Sequence, residues 1–179
     1  GIILISFLIC HNEKVNITWA KIFGYVRLSS TLDEEKDYIM GVHFLNVGKA
    51  DCSYIKCGNA NILIDSGDRE VSPNTVEYLN RRGIKKLDLV IATHPHRDHI
   101  GQMFNVIDNF EIGCFVMSKV PPKSIQTSDT YNRMLLSLQR KNVNVRLANP
   151  GDTIKISDLT VHILGPCRVY ENLNDDSVV

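Results

Sequence analysis

The chain reads as an α/β fold, a mixed sheet with flanking helices, and three observations predict it. Runs with the length of strands lie at 42–47, 52–56, 60–65, 87–92 and 112–117, and the fourth, rich in β-branched and aliphatic residues, reads as buried. The first three follow one another through turns at Gly48 and at Gly58-Asn59, the pattern of an antiparallel start. A helical pattern separates the third run from the fourth. Strand, helix and strand within about 30 residues form the crossover unit that sets neighbouring strands parallel.

Gly1 to Cys10 is an apolar run too short to cross a bilayer, which takes about 20 residues. It has the length of a signal-peptide core but neither an initiator Met nor a basic start. Two readings stay open: the remnant of an export leader, with membrane anchoring through the N-terminus, or a strand or helix of the fold. Ile9 is large where a lipid-anchor site before Cys10 wants a small residue. Residues 29–37 are polar and charged and read as a linker. The division is therefore 1–38 as leader remnant and linker, and 39–179 as the domain.

Asp65 ends the third strand, before Ser66-Gly67. Ser72-Pro73 supplies a helix cap and first turn, Val76 and Leu79 a buried face, and Gly83 a stop. The apolar strand 87–92 then runs into Thr93-His94-Pro95-His96-Arg97-Asp98-His99, where Pro95 breaks it. Ile100, Met103, Phe104, Ile107 and Phe110 have helical spacing, so one helix is expected from Ile100 to Phe110 with its N-terminus facing that loop. Its dipole would favour an anion there. After the strand at 112–117, residues 118–128 form a Pro-containing loop whose Lys119 and Lys123 are either solvated or able to meet an anionic substrate. A helix from Ser128 or Asp129 to Lys141 follows, then a strand at 144–148, a turn at Pro150-Gly151-Asp152, and a hairpin of Thr153–Ile156 with Leu159–Leu164. Ser177-Val178-Val179 resembles the start of a further strand.

Twenty basic and twenty acidic residues cancel, so charge implies no stable nucleic-acid complex. The five cysteines form no close metal pair and read as small buried hydrophobes; one disulfide stays open if the chain is exported.

The chemistry gathers in the loop after the fourth run, which holds three of the six histidines beside one aspartate. Imidazole and carboxylate are good ligands for divalent metals. His94 and His96, two apart on an extended segment, can grip one ion. Asp98 and His99, after the turn, can grip a second. Two ions about 3.5–4 Å apart can clamp both ends of a displacement. The plainer reading is surface histidines with an N-capping aspartate. His11, His43 and His162 stand apart from the loop and are read as non-ligands.

His94-x-His96-x-Asp98-His99 after an apolar strand resembles the metal signature of the metallo-β-lactamase fold hydrolases. Val42 to Asp51, Ile62 to Gly67, and Leu173 to Val179 resemble the ComEC-like branch, which includes DNA-uptake proteins. The resemblance implies an αββα sandwich, of which residues 39–179 would be the N-terminal part, and two divalent ions, zinc first, with manganese or iron as alternatives. It implies that His94, His96, Asp98 and His99 ligate metal, that Asp98 also orients the attacking water, and that Asp65 braces the histidine loop. Taken alone, Asp65 is also a plausible turn residue bonding its own backbone. Asp51 receives no role. The branch carries a Gln-Gly pair where this chain has Lys49-Ala50, and smaller residues at Arg97 and Gln102; those changes question the substrate more than the metal. A bridging aspartate and a further histidine of the family have no candidate here.

The expected function is a metal-dependent hydrolase acting on a phosphodiester or other ester, with a small molecule or nucleic acid as substrate. Its expected place is outside the cell or in the cell envelope, with the cytoplasm as the alternative. The competing reading is a non-catalytic metal-binding or transport-associated surface module. Residues 1–179 by themselves are expected to expose an inner sheet face and to hold metal weakly.

Overall fold

A computed structural model describes residues 39–69, 75–120, 129–168 and 172–179. The readings of residues 1–38, of the Ser72-Pro73 helix start and of Lys123 lie outside them. Six strands form one sheet: β1 (Met40–Phe44), β2 (Ser53–Cys57), β3 (Ala60–Ile64), β4 (Lys86–Ala92), β5 (Glu111–Met117) and β6 (Val145–Leu147). Their order in space is their order in sequence. The β1–β2 and β2–β3 pairs are antiparallel, whereas β3–β4, β4–β5 and β5–β6 are parallel.

The parallel half dictates where the helices go. Parallel crossovers are right-handed, so successive crossovers moving one way across a sheet must all lie on one face. They do. Leu79 of α1 (Thr75–Arg81), Ile100 of α2 (Arg97–Ile100), Met103, Val106 and Ile107 of α3 (Met103–Asn109), and Met134 and Leu138 of α4 (Asp129–Arg140) share one cluster with Leu63, Val90 and Phe115 of the sheet. The other face carries Ile62, Leu89, Ile91 and Val116, and packs against Ile154 and Ile156. Those two belong to a separate antiparallel hairpin, β7 (Thr153–Ile156) with β8 (Leu159–His162). Strand β4, covered on both sides, is for that reason apolar almost without alternation.

The hairpin modifies the expected picture of a sheet bare on one side, because it begins a second layer. Exposed apolar residues remain on the edge strand β1, at Met40, Val42 and Phe44.

The expected helix from Ile100 to Phe110 is two helices, and the reason is local. In a continuous helix the carbonyls of Asp98 and His99 would accept from the amides of residues 102 and 103. Here the Asp98 carbonyl accepts from Asp51 N, and the His99 carbonyl accepts from Ser66 N and Ser66 Oγ. Gln102 N turns instead to Gly67 O and Ser66 Oγ. The break leaves α3 starting at the fully buried Met103, so the dipole argument for an anion at a long helix's N-terminus falls.

Candidate metal centre

β4 ends at Ala92, and Pro95 prevents it from continuing. His96 is still extended, at φ −71° and ψ 148°, and the single turn α2 starts immediately after it. His94 lies in the bend that follows the strand end and His96 on extended backbone, while Arg97, Asp98 and His99 lie on a helical turn and not on a loop. The site lies at the carboxyl ends of parallel strands, where α/β sheets place their chemistry.

The turn is stitched to the loop after β3 by the bonds that break the helix. Gly101 is where the two backbones meet. A Cβ there would lie 2.6 Å from Arg69 N and from Arg97 O, and 2.7 Å from Gly67 O, so only glycine fits. Arg97 and Gln102, the two departures from the branch pattern, both act on this junction. Arg97 Nε donates to Asp68 Oδ1 at 3.0 Å, and Gln102 Nε2 donates to Asp68 O at 2.9 Å. Buried Gln102 also accepts from Thr75 N at 3.1 Å. These residues brace the loop, which explains them without reference to a substrate.

The motif's three imidazoles are gathered. The ring centroids of His94 and His99 are 3.9 Å apart, and those of His94 and His96 are 4.8 Å apart. Asp98 Oδ2 stands 3.8 Å from His99 Nε2. Asp51 Oδ2, given no role from sequence, stands closer, at 3.4 Å. Its turn between β1 and β2 is held to the motif by the Asp51 N to Asp98 O bond, and no local sequence signal announces that contact.

Asp65 lies behind the rings with its side chain 4% exposed. Its carboxylate accepts from Thr93 N at 2.8 Å, from Thr93 Oγ1 at 2.7 Å and from His99 Nδ1 at 2.7 Å. Accepting the Nδ1–H of His99 leaves the lone pair on Nε2, the side of the ring that faces Asp98 and Asp51. Asp65 adopts φ 58°, the left-handed region that aspartate tolerates better than most residues. The turn reading and the bracing reading of Asp65 thus describe one conformation.

Two effects separate the histidines electrically. Burial, followed by repulsion from His99 and His96, lowers the pKa of His94 below its ordinary value. Burial opposes a charge on His99 as well, but its hydrogen bond to Asp65 and the nearby carboxylates prevail, and its pKa is raised.

The donor chemistry fits a divalent metal: three imidazoles and a carboxylate at one strand end, with one imidazole oriented by a buried carboxylate. Among the described residues, no three His, Cys, Asp or Glu side chains are already closed around a single ion position. His43 lies instead against Tyr54, tilted at a centroid distance of 5.5 Å, and edge-on to Tyr78 at 6.4 Å, and His162 is exposed on the hairpin. Lys119 donates to Asn149 Oδ1 at 2.6 Å. The four described cysteines are free; Cys52 is buried as expected, but Cys167 is exposed, contrary to the expectation of buried thiols.

The class these features define is a mixed α/β fold with a His/Asp cluster at the carboxyl ends of its parallel strands. Residues 45–166 match the family model described as the metallo-beta-lactamase superfamily, and the chain belongs to that superfamily. The ComE operon protein 3 of Bacillus subtilis (strain 168) is 29% identical over 91 residues, covering 51% of this chain and 11% of that protein. A Methanocaldococcus jannaschii protein named "Probable metallo-hydrolase MJ0888" is 36% identical over 72 residues, covering 40% of this chain and 35% of its own. The chain thus spans a minor part of the length of these curated relatives. Among solved structures, MEM-A1, a subclass B3 metallo-beta-lactamase from a soil metagenome library, aligns with TM-score 0.49 and 18% identity over 71% of this chain and 50% of that one. No helix among the described residues is long and apolar enough to cross a membrane.

Proposed function

We propose that this chain carries the metal-holding part of a metal-dependent hydrolase that cleaves a phosphodiester or other ester in the cell envelope or outside the cell. His94 and His96 would hold one divalent ion, and Asp98 and His99 a second, with zinc first and manganese or iron as other occupants. The observation that carries the reading is the gathering of three imidazoles and Asp98 at the end of β4, with buried Asp65 fixing the proton of His99 on Nδ1. When bound, such ions acidify water and offset negative charge on the departing oxygen. Asp98, about half exposed and 3.8 Å from His99 Nε2, would orient the attacking water. Asp65 acts one layer behind, holding the His99 ring rather than touching substrate.

The ester class and the envelope location rest on the resemblance of the opening strands to the DNA-uptake branch and on the similarity to ComE operon protein 3. The test uses the full-length protein. Bound metal and turnover of a bis-aryl phosphodiester are measured with and without chelator, for wild type and for His96→Ala. Loss of turnover with chelator and in the variant is expected. Activity that survives both overturns the assignment.

A further inference from the structure

The turn that brings Asp51 to the site is fixed through its backbone. Gly48 turns the chain after β1 at φ 71°, and Leu45 N donates to Cys52 O at 3.0 Å, which closes the turn at its base. Val47 and Cys52, on either side of it, are buried in the helix-side core. Asp51 itself is held from two directions. Its N–H donates to Asp98 O at 3.1 Å, and its carbonyl accepts from Gly67 N at 2.9 Å. Those bonds tie it to the two segments that carry the histidine motif and Asp65.

The backbone of Asp51 is thus placed, while its carboxylate stands in the open beside the motif. Asp51 Oδ2 is 3.4 Å from His99 Nε2, and Asp98 Oδ2 is 3.8 Å from the same nitrogen. A hydrogen bond between an imidazole and a carboxylate is shorter, about 2.7–2.9 Å when charge assists it. His99 Nδ1 makes such a bond to Asp65 at 2.7 Å. The outer spacing suits another relation. Two atoms each about 2.1 Å from a tetrahedral ion stand about 3.4 Å apart. With the ring proton directed at Asp65, Nε2 and the two carboxylate oxygens are three acceptors at one edge of the ring. A cation is the partner that such a set shares without repulsion.

We infer that Asp51 is a further protein ligand of the ion that Asp98 and His99 hold. The inference rests on the metal-dependent reading above and names a residue from a turn 47 and 48 positions earlier in the chain. It gives that ion three protein ligands, the number a catalytic zinc usually keeps beside its water. The side chains of Asp51 and Asp98 are 74% and 50% exposed, so each carboxylate can turn onto an ion while its backbone stays in place. The backbone bonds make the turn part of the site, since Asp51 cannot leave without releasing Asp98 O and Gly67 N.

The experiment is zinc stoichiometry and affinity by competition with a chromophoric chelator, on full-length wild type, Asp51→Asn, Asp51→Ala and Asp158→Asn. The visible absorption of the cobalt-loaded proteins is a second readout. Asp158, exposed on the turn between β7 and β8, controls for the loss of one negative charge. Removing a partner behind a ligand costs about 10–100-fold in metal affinity, and both Asp51 variants are expected to weaken one of the two zinc ions by at least that and to alter the cobalt bands. Asp158→Asn is expected to do neither. Because the Asp51 side chain is mostly exposed, the metal-free variants are expected to melt with metal-free wild type. Wild-type zinc affinity in both Asp51 variants, an equal loss in Asp158→Asn, or metal-free Asp51 variants that melt well below wild type each overturn this inference and leave the metal reading standing. A wild type that binds no divalent ion overturns both.

Discussion

Replacing Asp65 by Asn removes a charge and leaves the shape. The carboxylate accepts one bond at Oδ1, from Thr93 N, and two at Oδ2, from Thr93 Oγ1 and His99 Nδ1. With the side chain 4% exposed, water does not replace a lost partner. The Asn oxygen can keep the Thr93 N bond. Its NH2 then meets two donors at the other position. The threonine hydroxyl can rotate away, but His99 must either lose its partner or move its proton to Nε2. A hydrogen bond to a charged group contributes about 1.5–3 kcal/mol, so losing the two at Oδ2 costs about 3 kcal/mol even at the low end. For a domain of this size that is roughly 6–12 °C in melting temperature. Backbone strain does not enter, since Asn accepts the left-handed φ of 58° as Asp does. Asp65→Ala adds about 1 kcal/mol for placing alanine there. At the site, a proton on His99 Nε2 removes a ligand lone pair, and zinc affinity should fall about 10–100-fold. Denaturant unfolding and chelator competition on the same preparations measure both. An Asp65→Asn protein with wild-type stability and zinc affinity would refute the view that these bonds set the His99 ring.

Four further outcomes follow from packing and titration. Gly101→Ala drives a Cβ into backbone atoms at 2.6 Å, which cannot rotate away, so a loss of about 3 kcal/mol or more is expected in denaturant unfolding, with weaker metal binding as the two loops part. Phe115→Ala empties a fully buried position in the helix-side core and should cost about 3–5 kcal/mol by the same assay. Cys52 is buried beside Thr75, and burial pushes its thiol pKa up from 9.0 to about 12. A group raised in the folded state contributes stability that is complete below the unfolded value and lost as pH rises through the folded one. Wild type should therefore lose more stability than Cys52→Ala between pH 9 and pH 12, and equal losses would contradict the burial argument. The same burial leaves Cys52 unreactive to an alkylating reagent at pH 8 (roughly one unit below the ordinary thiol), while exposed Cys167 reacts.

What was legible in the sequence was carried by local pattern. The β-branched runs marked the strands of the large sheet, and the 94–99 spacing marked the residues that the fold gathers. Asp65 was legible only through the family resemblance, since by itself a carboxylate at a strand end serves equally as a turn residue. The rest depended on contacts distant in sequence. The break at Gly101-Gln102 exists because Ser66, Gly67 and Asp51 compete for the carbonyls and amides that a helix would use, and helical periodicity cannot report such rivals. Asp51, Asn174 and Ser177 approach the histidines from other turns, on side chains common in any turn. The hairpin over Ile62 and Ile91 was readable as a hairpin, but its docking face was not.

The most direct measurement is the position of bound zinc in crystals of the full-length protein, located by anomalous scattering at the zinc edge. A peak about 2.0–2.1 Å from a ring nitrogen of both His94 and His96 is the expected result. Zinc bound elsewhere would contradict it.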